Sequence, residues 1–351
     1  MDIKDKKDII YYLGVSEEEK IRELFDYAYK VKVENVGKFV YFRGIIEFSN
    51  ICTKNCYYCG IRKDNTKIKR FSMTEDEIIE LALWAYENNY GSIVLQSGER
   101  KDKDFVLFIE KILKKIKKLS NDKLGITLSV GEQDYDTYKR WFDAGAHRYL
   151  LRIEASDREL YEKLHPADHS YDVRLKCLES LRDIGYQVGT GVMIGLPFQT
   201  LENLANDILF FKKMDIDMIG MGPYIIHEDT PIIKYVDSFD KESQLNLALK
   251  MIAVTRIFLK DVNIASTTAL QALKHIGREL GLMAGANIIM PTITDTKYRQ
   301  LYLLYQDKPC IDENAGLCRN CLQARIESIG EKIGFNEWGD SPHYFKKVRE
   351  S

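Results

Sequence analysis

At 351 residues the chain is long enough for one large or two average domains, and with 45% hydrophobic residues it can bury a sizeable core. Its 51 basic and 53 acidic residues leave a net charge of -2, which excludes the basic field that a nucleic-acid partner would need. No apolar run approaches the roughly 20 residues of a membrane span, and the first eight residues lack a signal peptide's apolar segment, so the expectation is a cytoplasmic protein with seven reduced cysteines and no membrane partner.

Residues 1–38 carry two amphipathic patterns and predict a helical lead-in. The second starts at Ser16-Glu17-Glu18-Glu19, a capped beginning, and runs through the apolar stripe Ile21, Leu24, Phe25 and Ala28. A strand-like apolar run over 40–48 then leads into Ser49-Asn50-Ile51-Cys52-Thr53-Lys54-Asn55-Cys56-Tyr57-Tyr58-Cys59-Gly60. Three cysteines spaced C-x3-C-x2-C on one short loop can converge on a single centre. A structural zinc site closes with four protein ligands, so three thiolates leave a missing fourth residue or an open position. A zinc knuckle borrowing a distant His or Cys, an iron–sulfur cluster with one iron free of protein, and three unliganded thiols all remain open on spacing alone.

From 40 onward, short apolar runs alternate with longer amphipathic ones, the pattern of repeated β-α units and a parallel sheet. Eight strands are predicted, at 40–48, 92–96, 125–129, 148–152, 187–194, 218–221, 264–267 and 287–289. Helices are predicted between them, at 74–88, 104–119, 135–144, 158–164, 171–184, 201–214, 241–258 and 271–284. Eight strands favour a closed (β/α)8 TIM barrel over an open sheet. The helices end in Asn89-Tyr90-Gly91, Ala144-Gly145-Ala146, Ile184-Gly185-Tyr186 and Ala284-Gly285-Ala286, each supplying a glycine for a left-handed cap. The organisation expected is a lead-in over 1–38, a barrel over 39–305 and a C-terminal extension over 306–351.

Chemistry in such barrels gathers where strands end. Polar residues follow the apolar runs at Gln96-Ser97-Gly98-Glu99, at Ser129-Val130-Gly131-Glu132, and at Arg152 with Glu154, which share a face by the period of two. Further groups follow at 189–197 and 218–224. Together they predict a ligand-lined mouth, although Arg152 with Glu154 also reads as an ion pair and Arg174 as a solvated helix charge.

The cysteine spacing, with aromatic Tyr58 just before the last thiol, resembles the signature of radical S-adenosylmethionine (SAM) enzymes. The resemblance implies a 4Fe-4S cluster on Cys52, Cys56 and Cys59 as the catalytic centre, with SAM on its open iron. Reductive cleavage of SAM would give methionine and a 5′-deoxyadenosyl radical. Gln96-Ser97-Gly98-Glu99 looks like the family's SAM-binding motif, and Arg152, Glu154 and Arg174 match charged SAM-binding positions. Tyr58, Met218 and Tyr302 are implied as further cofactor contacts, with Tyr305 a weaker match. The strings 43–50, 60–65, 95–99, 148–152, 218–223 and 298–302 are similar to the HydE family of FeFe-hydrogenase maturases, over residues 40–325 in all.

That subgroup implies a substrate in the form of an iron complex of carbon monoxide, cyanide and cysteine, the maturases HydG and HydF as partners, and an electron donor. Arg43, Thr127, Thr267 and Thr268 are implied as substrate-lining donors. The chain departs from the subgroup's strings at Arg100 and Ile153, which bears on substrate preference. Competing readings are a methylornithine synthase-like or biotin synthase-like enzyme on an organic substrate, and a non-catalytic iron–sulfur carrier. A second triplet, Cys310, Cys318 and Cys321, has the spacing of an accessory 2Fe-2S or 4Fe-4S site in some HydE proteins; an adventitious metal site or free thiols is the other reading. Cys177, in mid-helix, reads as a small core residue.

Overall fold

A computed structural model describes the chain except Glu313 and Ser351; the side chains of Cys318 and Glu350 also lie outside the described residues. The strands are β1 (Phe39–Ser49), β2 (Ser92–Ser97), β3 (Gly125–Ser129), β4 (Arg148–Leu150), β5 (Gln187–Thr190), β6 (Met193–Ile194), β7 (Met218–Ile219), β8 (Gly222–Pro223), β9 (Asn263–Ser266), β10 (Ile288–Ile289) and β11 (Lys332–Ile333). Eight of them, β1, β2, β3, β4, β5, β7, β9 and β10, pair in that order, all parallel. The pairing of Tyr41 with Ile288 and of Phe42 with Ile289 closes the ring. The predicted barrel therefore forms, with one strand for each predicted run.

Its wall follows from the alternation along β1: Phe42, Ile46 and Phe48 join the hydrophobic layer under the helices, while Arg43 and Glu47 face the other way. The helix Lys103–Leu119 shows how the outer ring is specified. Asp102 caps it by accepting from the Phe105 backbone N–H, and Phe105, Ile109, Ile112, Leu113 and Ile116 are buried along one stripe. Fully burying such a side chain stabilises by about 1.5–3 kcal/mol, so this one stripe outweighs the cap several-fold. Among the described residues no helix is long and apolar enough to cross a membrane.

Several boundaries differ from expectation for identifiable reasons. The runs 187–194 and 218–221 each break: β5 and β7 stay in the wall, while β6 pairs with β8 beyond it. At the break Gly191 lies so close to Gly220 that a Cβ would stand 2.1 Å from the Gly220 carbonyl oxygen. The run 148–152 keeps strand geometry only to Leu150. The helix expected over 271–284 is two, Thr268–Leu273 and Gly277–Met283. The helix Glu18–Val36 begins behind Glu17 with no side-chain cap, so Ser16 does not act as one. Gly145, Gly185 and Gly285 take the left-handed cap, but after the helix Glu75–Glu87 it is Asn89 that does so, at φ 63°. Gly91 is needed because the Glu337 carbonyl presses against it, 1.7 Å from where a Cβ would stand.

That contact belongs to a feature the sequence did not announce. After the helix Ala315–Ser328 the chain adds β11 beside the start of β1 and runs beneath the barrel's lower end. There the Gly339 carbonyl accepts from Arg43 Nη2 and Asn263 Nδ2, both at 2.9 Å. Arg148 Nη1 reaches the Trp338 carbonyl at 2.8 Å and Asp340 Oδ1 at 2.6 Å. The lead-in helices Lys6–Gly14 and Glu18–Val36 pack on the helices Leu201–Lys213 and Lys241–Leu259. A fully buried Lys32–Glu331 pair at 2.6 Å ties the lead-in to the C-terminal segment.

Candidate active site

The cysteine loop leaves β1 at the barrel mouth and is held by groups that satisfy its backbone. Asn50 accepts from the Phe71 N–H and donates to the Lys69 and Leu301 carbonyls, while the Arg70 guanidinium takes the carbonyls of Asn50, Ile61 and Arg62. Cys52 Sγ accepts two backbone N–H groups, from Lys54 at 3.4 Å and Glu99 at 3.3 Å. Burial pushes all three thiols up, Cys56 to about 12 and Cys59 well above its ordinary value, and each lies within electrostatic reach of the others. Left alone they would be protonated at neutral pH, so thiolates here require a bound cation. Among the described residues no three His, Cys, Asp or Glu side chains are placed to share a single metal ion. The fit to an iron–sulfur cluster rests on the donor set itself: three half-buried thiols on one loop, with two N–H groups directed at the Cys52 sulfur.

The loop after β2 presses against the cysteines. The Gly98 N–H donates to the Ser49 carbonyl at 2.9 Å, and a Cβ at Gly98 would stand 2.4 Å from the Ile51 carbonyl oxygen and 2.7 Å from Cys52 Cβ. Ser97 spends its hydroxyl on the Gly98 carbonyl. Glu99 carries its carboxylate to the Glu132 backbone N–H at 2.9 Å. Glu132 in turn faces Lys54 at 2.9 Å and Arg174 at 2.8 Å. Burial would raise Glu132, but Arg174 and Lys54 outweigh it and hold the carboxyl at about 2, whereas burial and the Glu132 charge raise Glu99. The two neighbouring carboxyls are thus pushed in opposite directions, Glu132 down and Glu99 up.

Arg152 and Glu154 do share a face and form an ion pair at 2.9 Å, yet poorly aligned: Arg152 Nε and Nη2 and Glu154 Oε2 are buried without a hydrogen-bond partner. Glu154 sits at φ 66°, a left-handed conformation costly for a non-glycine residue, and is held there by a bridge to Val192. Burial raises its carboxyl against the pull of Arg152 and Arg174. An orphaned guanidinium edge and an orphaned carboxylate oxygen are complementary to the carboxylate and ammonium ends of an amino acid, which is what the methionine part of SAM offers. Arg174 is no solvated charge; it is buried between Glu132 and the Arg152 carbonyl.

On the other side of the loop, the Tyr58 hydroxyl meets His165 Nε2 at 3.0 Å, and His165 Nδ1 lies 2.8 Å from the Tyr161 carbonyl. Burial lowers His165 to about 3, so it is neutral, with the proton on Nδ1 and Nε2 accepting from Tyr58. Tyr302 is buried, its hydroxyl 3.3 Å from Gln96 Nε2, and Lys308 reaches Glu47 Oε1 at 2.5 Å from the segment that crosses the mouth. Sequence reasoning took His165 for a loop hydrogen-bond donor without its Tyr58 partner, and missed Lys54, Glu47 and Lys308. Lys54 had a signal, standing between two cysteines; the others follow only from the fold.

Other expected positions lie deeper in the barrel than the rim. Met218, expected beside SAM, opens β7 one layer below the mouth, where Arg43 Nη1 approaches its sulfur at 2.9 Å. Arg43 and Thr127, expected to line the substrate, sit at that same level. Arg43 is spent on the Gly339 carbonyl, and the Thr127 hydroxyl accepts from Arg148 Nε at 3.0 Å. The cavity they share with Met218 is ≈ 20 Å³, room for about one water. Thr267 and Thr268 do stand at the mouth, Thr268 accepting from Arg278 at 3.0 Å. Both family departures face away from the site. Arg100 pairs with Asp102 and covers the Phe105 ring, and Ile153 lies in the wall's hydrophobic layer. In the second triplet Cys310 is half-buried at φ 63° and Cys321 is exposed on the helix Ala315–Ser328, while the Cys318 side chain lies outside the described residues.

Residues 46–211 match the family model of the radical SAM superfamily. The chain is 45% identical to the FeFe-hydrogenase maturase subunit HydE of Thermotoga maritima over 93% of its own length and 90% of that protein. It is 26% identical to the 3-methylornithine synthase of Methanosarcina acetivorans over 80% and 77%. Among solved structures it resembles methylornithine synthase in fold, with a TM-score of 0.79 at 24% identity over 96% of this chain and 95% of that one. It also resembles the maturase HydG, with a TM-score of 0.80 at 20% identity over 99% and 77%.

Proposed function

Because the chain belongs to the radical SAM superfamily and, within it, to the family of the FeFe-hydrogenase maturase HydE, we propose that it acts on an iron precursor of the hydrogenase active-site cluster. It is a radical SAM enzyme, and that family works with a 4Fe-4S cluster and SAM. The observation that carries the site reading is the meeting of the buried cysteine loop with the poorly satisfied Arg152–Glu154 pair at the barrel mouth. Cys52, Cys56 and Cys59 would hold the cluster. Arg152, Glu154 and the Gly98–Glu99 backbone would hold the methionine end of SAM, and Tyr58, Gln96 and Tyr302 would flank it. Cluster and SAM, when bound, supply a one-electron cleavage of the C5′–S bond. The residues keep that site dry: Tyr302 and the Lys308–Glu47 pair cover the mouth, and the floor is closed by Gly339 on Arg43.

The substrate proposed, by the resemblance of its motifs, is an iron–carbonyl–cyanide–cysteine complex supplied by HydG and passed towards HydF, with a reduced electron-transfer protein feeding the cluster in the cytoplasm. Supplying the HydG product with reductant and SAM to the purified protein should consume the iron–carbonyl infrared bands in step with 5′-deoxyadenosine formation. Turnover of an amino acid instead, with the bands untouched, would transfer the chain to the methylornithine synthase-like reading. We further propose an accessory cluster on Cys310, Cys318 and Cys321 within the extension 306–351. Replacing all three by alanine should lower bound iron while SAM cleavage continues; unchanged iron content would remove that cluster.

A further inference from the structure

The side chains buried most completely include four arginines, and three are well provided for. Arg148 has Asp340 at 2.6 Å. Arg256 donates to the carbonyls of Gly285, Lys260 and Val262 and to Asn287 Oδ1. Arg299 donates to the carbonyls of Thr294, Cys310 and Thr292. Arg278, only 2% exposed, has a single neutral partner among the described residues, the Thr268 hydroxyl at 3.0 Å; its Nε and Nη1 are buried and find no partner among them. A guanidinium is always charged, and burying one against a lone hydroxyl is costly unless an anion completes its fork.

The surroundings supply the rest of a receptor. Thr267 Oγ1, on the residue just before Thr268, is also buried and has no partner among the described residues. Arg278 Nη2 reaches Thr268, two residues past the end of β9, which sets this guanidinium at the barrel mouth, the end that also carries the cysteine loop and the Arg152–Glu154 pair. The unpartnered Nε–H and Nη1–H, on different edges of the guanidinium, can each donate a charge-assisted hydrogen bond to an anion, and the Thr268 hydroxyl, which accepts from Nη2, keeps its own hydrogen to donate.

We propose that Arg278, with Thr267 and Thr268, is the receptor for a carboxylate of the substrate at the barrel mouth, and so fixes which end of a small amino-acid-bearing ligand faces SAM. This rests on reading the mouth as the substrate chamber. The test is calorimetric titration of L-cysteine into the cluster-reconstituted, SAM-loaded protein and its R278Q and R278K variants, with SAM affinity and melting temperature as controls. R278Q should weaken L-cysteine binding tenfold or more with SAM affinity unchanged, and R278K should fall between. Equal binding by R278Q, or none by the parent, overturns the proposal. So does a loss of accessory iron in R278Q with L-cysteine binding intact, which would give the guanidinium to the thiolates of the second triplet. The iron precursor does not enter this titration, so failure of the maturase reading leaves the result decisive.

Discussion

Arg152 and Glu154 show how a single pair can be legible in a sequence while its geometry is not. Their spacing put them on one face, and the structure adds that the pair is poorly aligned and backed by the strained φ of 66° at Glu154. The pair is in contact but misaligned, and the Val192 bridge fixes the backbone that carries Glu154. The pair is only half-buried, so losing one charged partner is worth about 1.5–3 kcal/mol, and here much of that would fall on the ligand that both groups face. Glu154→Gln and Arg152→Met should therefore each weaken SAM binding roughly tenfold or more by equilibrium dialysis, with the melting temperature little changed. Parent-like affinity accompanied by a large loss of thermal stability would return the pair to a structural role.

At the scale of elements, the loop after β2 is the partner that shapes the cysteine loop. Gly98→Ala would place a methyl group 2.4 Å from a backbone carbonyl, which no side-chain rotation relieves, so the two loops must separate. The expected outcome is a folded barrel that retains much less iron after reconstitution; full iron content with parent SAM cleavage would show that the contact is dispensable. The barrel strands were legible because each is a run of apolar residues bounded by turn chemistry, and the helices because caps such as Asp102 and Thr74 sit ahead of periodic stripes. The three thiols were legible from spacing alone. His165, Glu47 and Lys308 were not, because their meaning lies in partners 107, 261 and 261 positions away. Arg43, Thr127 and Met218 were assigned to the mouth because a sequence tells which face of a strand a residue takes but not its depth along the barrel axis. Depth depends on register, and register places Thr127 beside Arg148 and Met218 beside Gly189, below the rim.

The whole molecule is held together at its lower end by the C-terminal segment, and that fastening is sensitive to pH. His343, in the first turn of the last helix (Pro342–Glu350), faces Asp261 at 3.2 Å and Asp215 at 2.7 Å; the same carboxylates also meet Lys346 and Lys347. The Asp261 hydrogen bond leads in raising His343 above its ordinary value, with burial opposing and Asp215 adding to the rise. A raised histidine stabilises fully below its unfolded value near 6.5, and the contribution disappears as pH rises through the raised folded value. For a partly exposed pair it is worth about 1 kcal/mol. His343→Gln should lower the melting temperature at pH 6 and the difference should fade towards pH 9; a difference that grows with pH would reverse the assignment. The floor has a further consequence in time. β1 finds partners in β10 and β11 only after nearly the whole sequence exists, so during synthesis the ring is open. At about 5–20 residues per second, Cys52, Cys56 and Cys59 spend on the order of tens of seconds outside any finished wall. In that interval they are ordinary nascent-chain thiols, open to oxidation and to the wrong metal, and a reducing compartment protects them before the barrel can.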